Sequence, residues 1–131
     1  MSRALAAALL NQPAITALVG ARRALKQLPA GTALPALVYT VVDVNPETYV
    51  NDAAGYEAMR VQVNPLAATI GAVQQIHDAV QQALDGMAQA TVAGRRVIQV
   101  RRDVAGPEDS TTDDAGAVVW TWPRDYIVIF E

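Results

Sequence analysis

The sequence predicts an α+β domain: a mainly antiparallel sheet of four to five strands, with an N-terminal helix and one long amphipathic helix packed on one face. Three observations carry this. Residues Tyr56 to Asn64 alternate apolar and polar with period two, and Leu66 to Leu84 switch to apolar steps of three and four. Two further strand-like runs, Arg95 to Val104 and Ala117 to Phe130, follow the helix. Runs of strands with a helix laid over them give an antiparallel α+β arrangement, not alternating parallel units.

Ser2 suits an N-cap for a helix carrying Leu5, Ala6, Leu9 and Leu10, which Pro13 stops. Pro13 then fits the first turn of a second short helical segment with Ile15, Leu18 and Val19 on one side and Gly20 as its stop. Residues 21–28 place Arg22, Arg23 and Lys26 around Leu25 and Leu28, a short basic edge strand. From Leu34 to Val44 the run is apolar and β-branched, a strand expected to end at Asp43-Val-Asn45-Pro46. In the next strand Met59, Val61 and Val63 face one way and Arg60, Gln62 and Asn64 the other. The helix Leu66 to Leu84 carries Leu66, Ile70, Val73, His77, Val80 and Leu84 on its apolar stripe and stops at Asp85-Gly86. The polar stretch 105–116 separates the last two strand regions as a loop, too poor in apolar residues to repay its ordering by burial.

With 131 residues the chain is expected to form a single domain over 1–131. Of its apolar residues 25 are Ala and 17 Val, so the core is expected to be thin and open to completion by neighbouring subunits. No apolar run approaches the ~18 to 20 residues of a membrane helix, so no membrane partner is expected. The start imitates a signal peptide only faintly, because Asn11-Gln12-Pro13 stands where a cleavage site belongs. Net charge is −3, with nine basic against seven acidic residues over 1–104 and one against six over 105–131. That acidic end argues against a free nucleic-acid binder, whose footprint is a basic face.

The chemistry of catalysis is hard to place on this chain, and no cofactor or metal is expected. Without cysteine there is no thiolate, and His77 is the sole imidazole. It lies on the helix's apolar stripe without an orienting partner, which reads as a structural or interfacial histidine. Glu108, Asp109, Asp113 and Asp114 lack the alternating ligand pattern of a calcium loop and read as a solvated acidic segment. Neither the Walker nor the dinucleotide glycine pattern occurs. The doublets Arg22-Arg23, Arg95-Arg96 and Arg101-Arg102 are expected to point to opposite strand faces, leaving the rows Arg95, Gln99, Arg101 and Arg96, Arg102 for solubility, edge protection or subunit salt bridges instead of nucleic acid. Trp120, Trp122, Tyr126 and Phe130 share one parity, disturbed at Pro123, and form either a core face or subunit-interface anchors.

The order of these signals resembles a known family. The residues that carry the likeness are Ala-Leu-Val-Gly (17–20), the short basic strand, Leu-Pro-Ala-Leu-Val-Tyr (34–39), Met-Arg-Val-Gln-Val (59–63), Ile-His-Asp-Ala-Val-Gln-Gln-Ala-Leu-Asp-Gly (76–86) and the closing Tyr-Ile-Val-Ile-Phe (126–130). Together they resemble the tail-completion, or tail-terminator, family of long-tailed bacteriophages and prophages. Asn64-Pro65 and the length of the 105–116 segment depart from the pattern. The resemblance implies a non-enzymatic virion protein, made in the bacterial host cytoplasm and located at the head-proximal end of the tail. It implies a ring, a hexamer, that caps the tail tube and joins it to the head-completion or connector proteins, with genomic DNA passing through without sequence-specific binding. Glu108, Asp109, Asp113, Asp114, Arg95, Arg101, Arg22 and Arg23 are the candidate interface or lumen residues. The alternatives are another virion joining or minor tail protein, a small ligand-binding or enzyme domain, or a regulatory dimer, although the helix 66–84 has no Lys or Arg with which to read DNA.

Overall fold

A computed structural model describes residues 2–28, 32–49, 52–112 and 116–131. The fold is α+β, with three helices among the described residues and a mixed, mostly antiparallel sheet. The helices are α1 (Ser2–Leu9), α2 (Pro13–Val19) and α3 (Ile70–Leu84). The strands are β1 (Arg23–Leu25), β2 (Ala36–Tyr49), β3 (Asp52–Ala67), β4 (Ala88–Val92), β5 (Arg95–Ala105), β6 (Asp109–Thr112), β7 (Val118–Thr121) and β8 (Arg124–Phe130). They run β1-β2-β3-β8-β5-β4 across the sheet, β6 pairing β7 and β7 pairing the end of β3. Among the described residues only β1 and β2 pair in parallel.

The alternation of β3 decides which face is covered. Met59, Val61 and Val63 are buried, as are Tyr126, Val128 and Phe130 of β8 and Val97 and Val100 of β5. Against this face pack Leu5, Leu9 and Leu10 of the N-terminus, Ile15 and Val19 of α2, and Ile76, Val80 and Leu84 of α3. The opposite face carries Gln62, Asn64, Ile127 and Ile129, all half-buried, so the subunit has two layers. Fully burying a Leu, Ile or Phe side chain contributes ~1.5 to 3 kcal/mol, and this one face supplies most of that term.

Several elements differ from expectation for identifiable reasons. The sheet has eight strands among the described residues instead of four or five, whereas the N-terminus is two helices with Pro13 opening the second and Gly20 closing it, as expected. Strand β2 runs through Asp43-Val-Asn45-Pro46 to Tyr49, with Pro46 opposite Glu57. Among the described residues no strand borders its outer side past Tyr39, where β1 ends, and such an edge is where proline is tolerated. Leu66 and Ala67 belong to β3, opposite Thr121 and Trp120 of β7, and the helix begins only after Thr69, whose hydroxyl accepts from the Ala72 N–H at 3.1 Å. Pro65 falls where the partner of β3 changes from β8 to β7, between the pairs Val63↔Arg124 and Leu66↔Thr121. The segment expected as a loop contains β6, Asp109 to Thr112, exposed throughout and paired to β7.

Candidate functional site

The pairing of β5 with β8 sets Arg101 opposite Ile127, Arg102 opposite Tyr126 and Ala105 opposite Arg124. Strand β4 borders β5 only as far as Gln99, and the turn after α3 then takes its place. There the Gly86 N–H donates to the Val100 carbonyl at 3.0 Å and Asp85 receives both the backbone N–H and the Nε of Arg102, at 3.2 and 3.0 Å. The result is an open cleft of about 400 Å³ lined by Asp85, Arg101, Arg102, Asp103, Ala105 and Arg124. Arg124 is steered from behind: its Nη1 donates to Gln81 Oε1 of α3 at 3.2 Å, and its guanidinium lies 5.5 Å from the Trp122 ring centre.

Charge in the cleft is unevenly matched. Arg102 is paired with Asp85. Asp103 accepts from Arg60, which also donates to Asp125 at 3.0 Å, and these two hydrogen bonds, that to Asp103 first, raise the Arg60 pKa. Arg101 and Arg124 face no carboxylate at ion-pair distance among the described residues. Among the described residues the concavity therefore presents two guanidiniums without a carboxylate at ion-pair distance beside a fixed Arg–Asp frame, a chemistry suited to carboxylates.

The sequence-predicted site residues divide between internal and exposed positions. Arg22 donates through Nε to the Pro35 carbonyl at 2.8 Å. Arg23 clasps both N-terminal helices, donating to the Gly20 carbonyl at 3.0 Å, the Leu10 carbonyl at 3.1 Å and Asn11 Oδ1 at 3.3 Å. Arg95 donates to the Glu131 carbonyl at 2.7 Å and stacks 5.0 Å over Phe130. Glu108 and Asp109 are exposed, and Asp113 and Asp114 lie outside the described residues. The expected row of Arg95, Gln99 and Arg101 is broken, because a register shift between Val97 and Gln99 moves Arg95 and Arg101 to different faces. Conversely, Arg101 and Arg102 do share a patch: a second irregularity, between Arg102 and Ala105, lies at the sheet edge where both reach the cleft. Arg124, Arg102 and Asp85 were not among the expected site residues, since only the register between β5, β8 and the turn after α3 unites them.

His77 is fully buried. Its Nε2 is hydrogen-bonded to the Trp122 carbonyl and its ring meets the Trp122 ring edge-on at 5.0 Å, whereas Nδ1 has no partner among the described residues. Burial first of all lowers its pKa to about 4. A neutral imidazole with no nucleophile or carboxylate hydrogen-bonded to it among the described residues is a packing element joining α3 to the break between β7 and β8. Of the expected aromatic set, Tyr126 and Phe130 enter the core, while Trp120 and Trp122 are half-buried.

No curated protein matches the chain in sequence. Among solved structures, its fold is similar to that of a chain in the virion of the native gene transfer agent (GTA) particle, with a TM-score of 0.62 over 100% of this chain and 95% of that chain at 15% identity. The family model described as Tail completion protein gp17 matches residues 3–120. By that match the chain belongs to the Tail completion protein gp17 family, and is a non-enzymatic structural protein of the phage virion tail.

Proposed function

We propose that the protein is the tail terminator: a single domain over residues 1–131 that forms a ring, a hexamer, on the head-proximal end of the tail tube. The ring stops tube growth and joins the tail to the head-completion or connector proteins, and genomic DNA passes through it without sequence-specific contact. One observation carries the reading, the match of a tail-completion family model to residues 3–120. The two-layer architecture supports it, because a sheet with one face free of helices suits a subunit whose surroundings are completed by copies of itself. The acidic segment with Glu108, Asp109, Asp113 and Asp114 is assigned to the lumen or the head-joining face, where repeated carboxylates repel passing DNA. Arg95, Arg101, Arg22 and Arg23 are assigned to the subunit side of the ring.

Native mass measurement of the purified protein, alone and bound to tail tubes, tests this. The expected result is a closed ring on the tube, whether or not the free protein is monomeric. A tail complex holding two copies overturns it.

A further inference from the structure

The sheet carries oppositely charged features at diagonal corners. Strand β1 borders β2 only as far as Tyr39, and β8 borders β3 only as far as Glu57, opposite Phe130. Past those points β2 and β3 pair, among the described residues, only with each other, through Glu47↔Tyr56 and Tyr49↔Asp52. This two-stranded arm carries Glu47 and Asp52, and the sequence from 47 to 56 contains no Lys or Arg. The arginine-lined cleft sits on β5, across β3 and β8 from β2, at the end of β8 that starts with Arg124. Six steps along β8 at ~3.3 Å and three strand spacings of ~4.8 Å put roughly 20 Å along the strands and 14 Å across them between the two. An arm does not reach the cleft of its own subunit.

Resting on the ring reading above, we infer that the cleft of Arg101, Arg102 and Arg124 receives the acidic β2–β3 arm of a neighbouring copy. Charge complementarity selects this occupant, since Arg101 and Arg124 lack carboxylate partners among the described residues and the arm brings carboxylates without cations. Position selects it over the other acidic segment of the chain. Residues 105–112 leave from the cleft itself, with Ala105 in its wall, and run off beside β7 on the same side of the subunit. A head-to-tail ring needs unlike patches on opposite sides, which the arm and cleft provide.

The absence of cysteine from the sequence makes the test direct. Arg101→Cys and Glu47→Cys are introduced into the full chain, together and separately, and assembled protein is treated with a short bismaleimide. The double variant is expected to give a cross-linked ladder ending at the ring number, and an equal mixture of the two single variants to give dimers only. In parallel, Arg101→Glu is expected to weaken association about tenfold, the loss of one interfacial charge pair of moderate strength, and Glu47→Arg to restore it in the double variant. Closed rings by native mass with no cross-link between 47 and 101 overturn the arm-to-cleft contact and leave the ring reading standing. Failure to form any closed ring, on tail tubes or free, overturns both, and a cross-link confined to single chains overturns the inter-subunit assignment.

Discussion

His77 of α3 and Trp122 are joined twice, by a hydrogen bond from the imidazole Nε2 to the Trp122 carbonyl and by an edge-on ring contact at 5.0 Å. The carbonyl accepts, so Nε2 carries the proton and the neutral ring leaves Nδ1 buried without a partner among the described residues. This bond ties the long helix to the two residues, Trp122 and Pro123, at which the strand from 118 to 130 breaks.

Stability is therefore expected to depend on pH through His77. Burial first of all holds its folded-state pKa at about 4, against 6.5 for an unperturbed imidazole. Between those values the unfolded chain takes a proton that the folded one refuses. The contribution is complete above pH ~6.5 and lost as pH falls toward ~4, on the order of 3 kcal/mol in all. Urea unfolding of the wild type and of His77→Gln across that range checks this. The variant keeps a donor for the Trp122 carbonyl, costs only modest stability and shows a flatter pH dependence; equal slopes overturn the assignment. Tail assembly is expected to survive the substitution.

The parts of this structure legible in the sequence are those whose periodicity reports burial directly. Met59, Val61 and Val63 alternate because β3 has one covered face, and Val73, His77 and Val80 recur at helical spacing because α3 lies on that face. Strand β4 was not legible, since Ala88-Gln-Ala-Thr-Val92 has almost no buried side and is held by backbone pairing to β5. Nor was β6, whose Asp-Ser-Thr-Thr is exposed throughout and owes its strand form to β7. The cleft was invisible for a different reason. Arg101 and Arg124 are far apart in sequence, and a bulge of one residue determines which arginines of β5 share a side.

Arg60 is expected to hold two carboxylates in place on the helix-free face of the sheet. Its Nη1 donates to both Asp103 and Asp125, and its removal takes away the cation that the two acids share. Arg60→Leu should lower the thermal midpoint, and adding Asp125→Asn should recover part of the loss. Because Arg60 is about a third exposed, with 34% side-chain accessibility, the difference should shrink as salt is raised. A loss independent of salt and of Asp125 indicates that the Arg60 stem, and not its charge, does the packing.

Gly106 sits where the chain between β5 and β6 crosses the break between β7 and β8. Its N–H donates to the Pro123 carbonyl at 2.7 Å and its own carbonyl accepts from Trp122 Nε1 at 2.8 Å. A Cβ placed on it meets Pro123 Cγ at 2.8 Å. The proline ring cannot swing aside as a flexible side chain does, so Gly106→Ala should destabilise the protein by roughly 1 to 3 kcal/mol. Shortening the obstacle with Pro123→Ala should recover much of that in the double variant, a coupling that chemical denaturation of the four proteins measures. Additive losses show that the clash is relieved elsewhere.

The acids of the segment from Glu108 to Asp114 are expected to serve a different contact from the acids of the β2–β3 arm. Glu108 and Asp109 are exposed, and the variant replacing Glu108, Asp109, Asp113 and Asp114 by their amides is expected to change stability by no more than about 0.5 kcal/mol. If the arm makes the subunit contact, the amide variant still closes rings on the tube. What it should lose is the electrostatic lining that these carboxylates, repeated around a ring, present to the head or to DNA. Tails built with it are then expected to assemble to normal length but to join heads poorly, or to eject DNA slowly. Length measured by electron microscopy and the fraction of filled, joined particles separate the two effects. Particles that join and eject normally make the hairpin a passive connection, whereas loss of rings moves the subunit contact from the arm to β6.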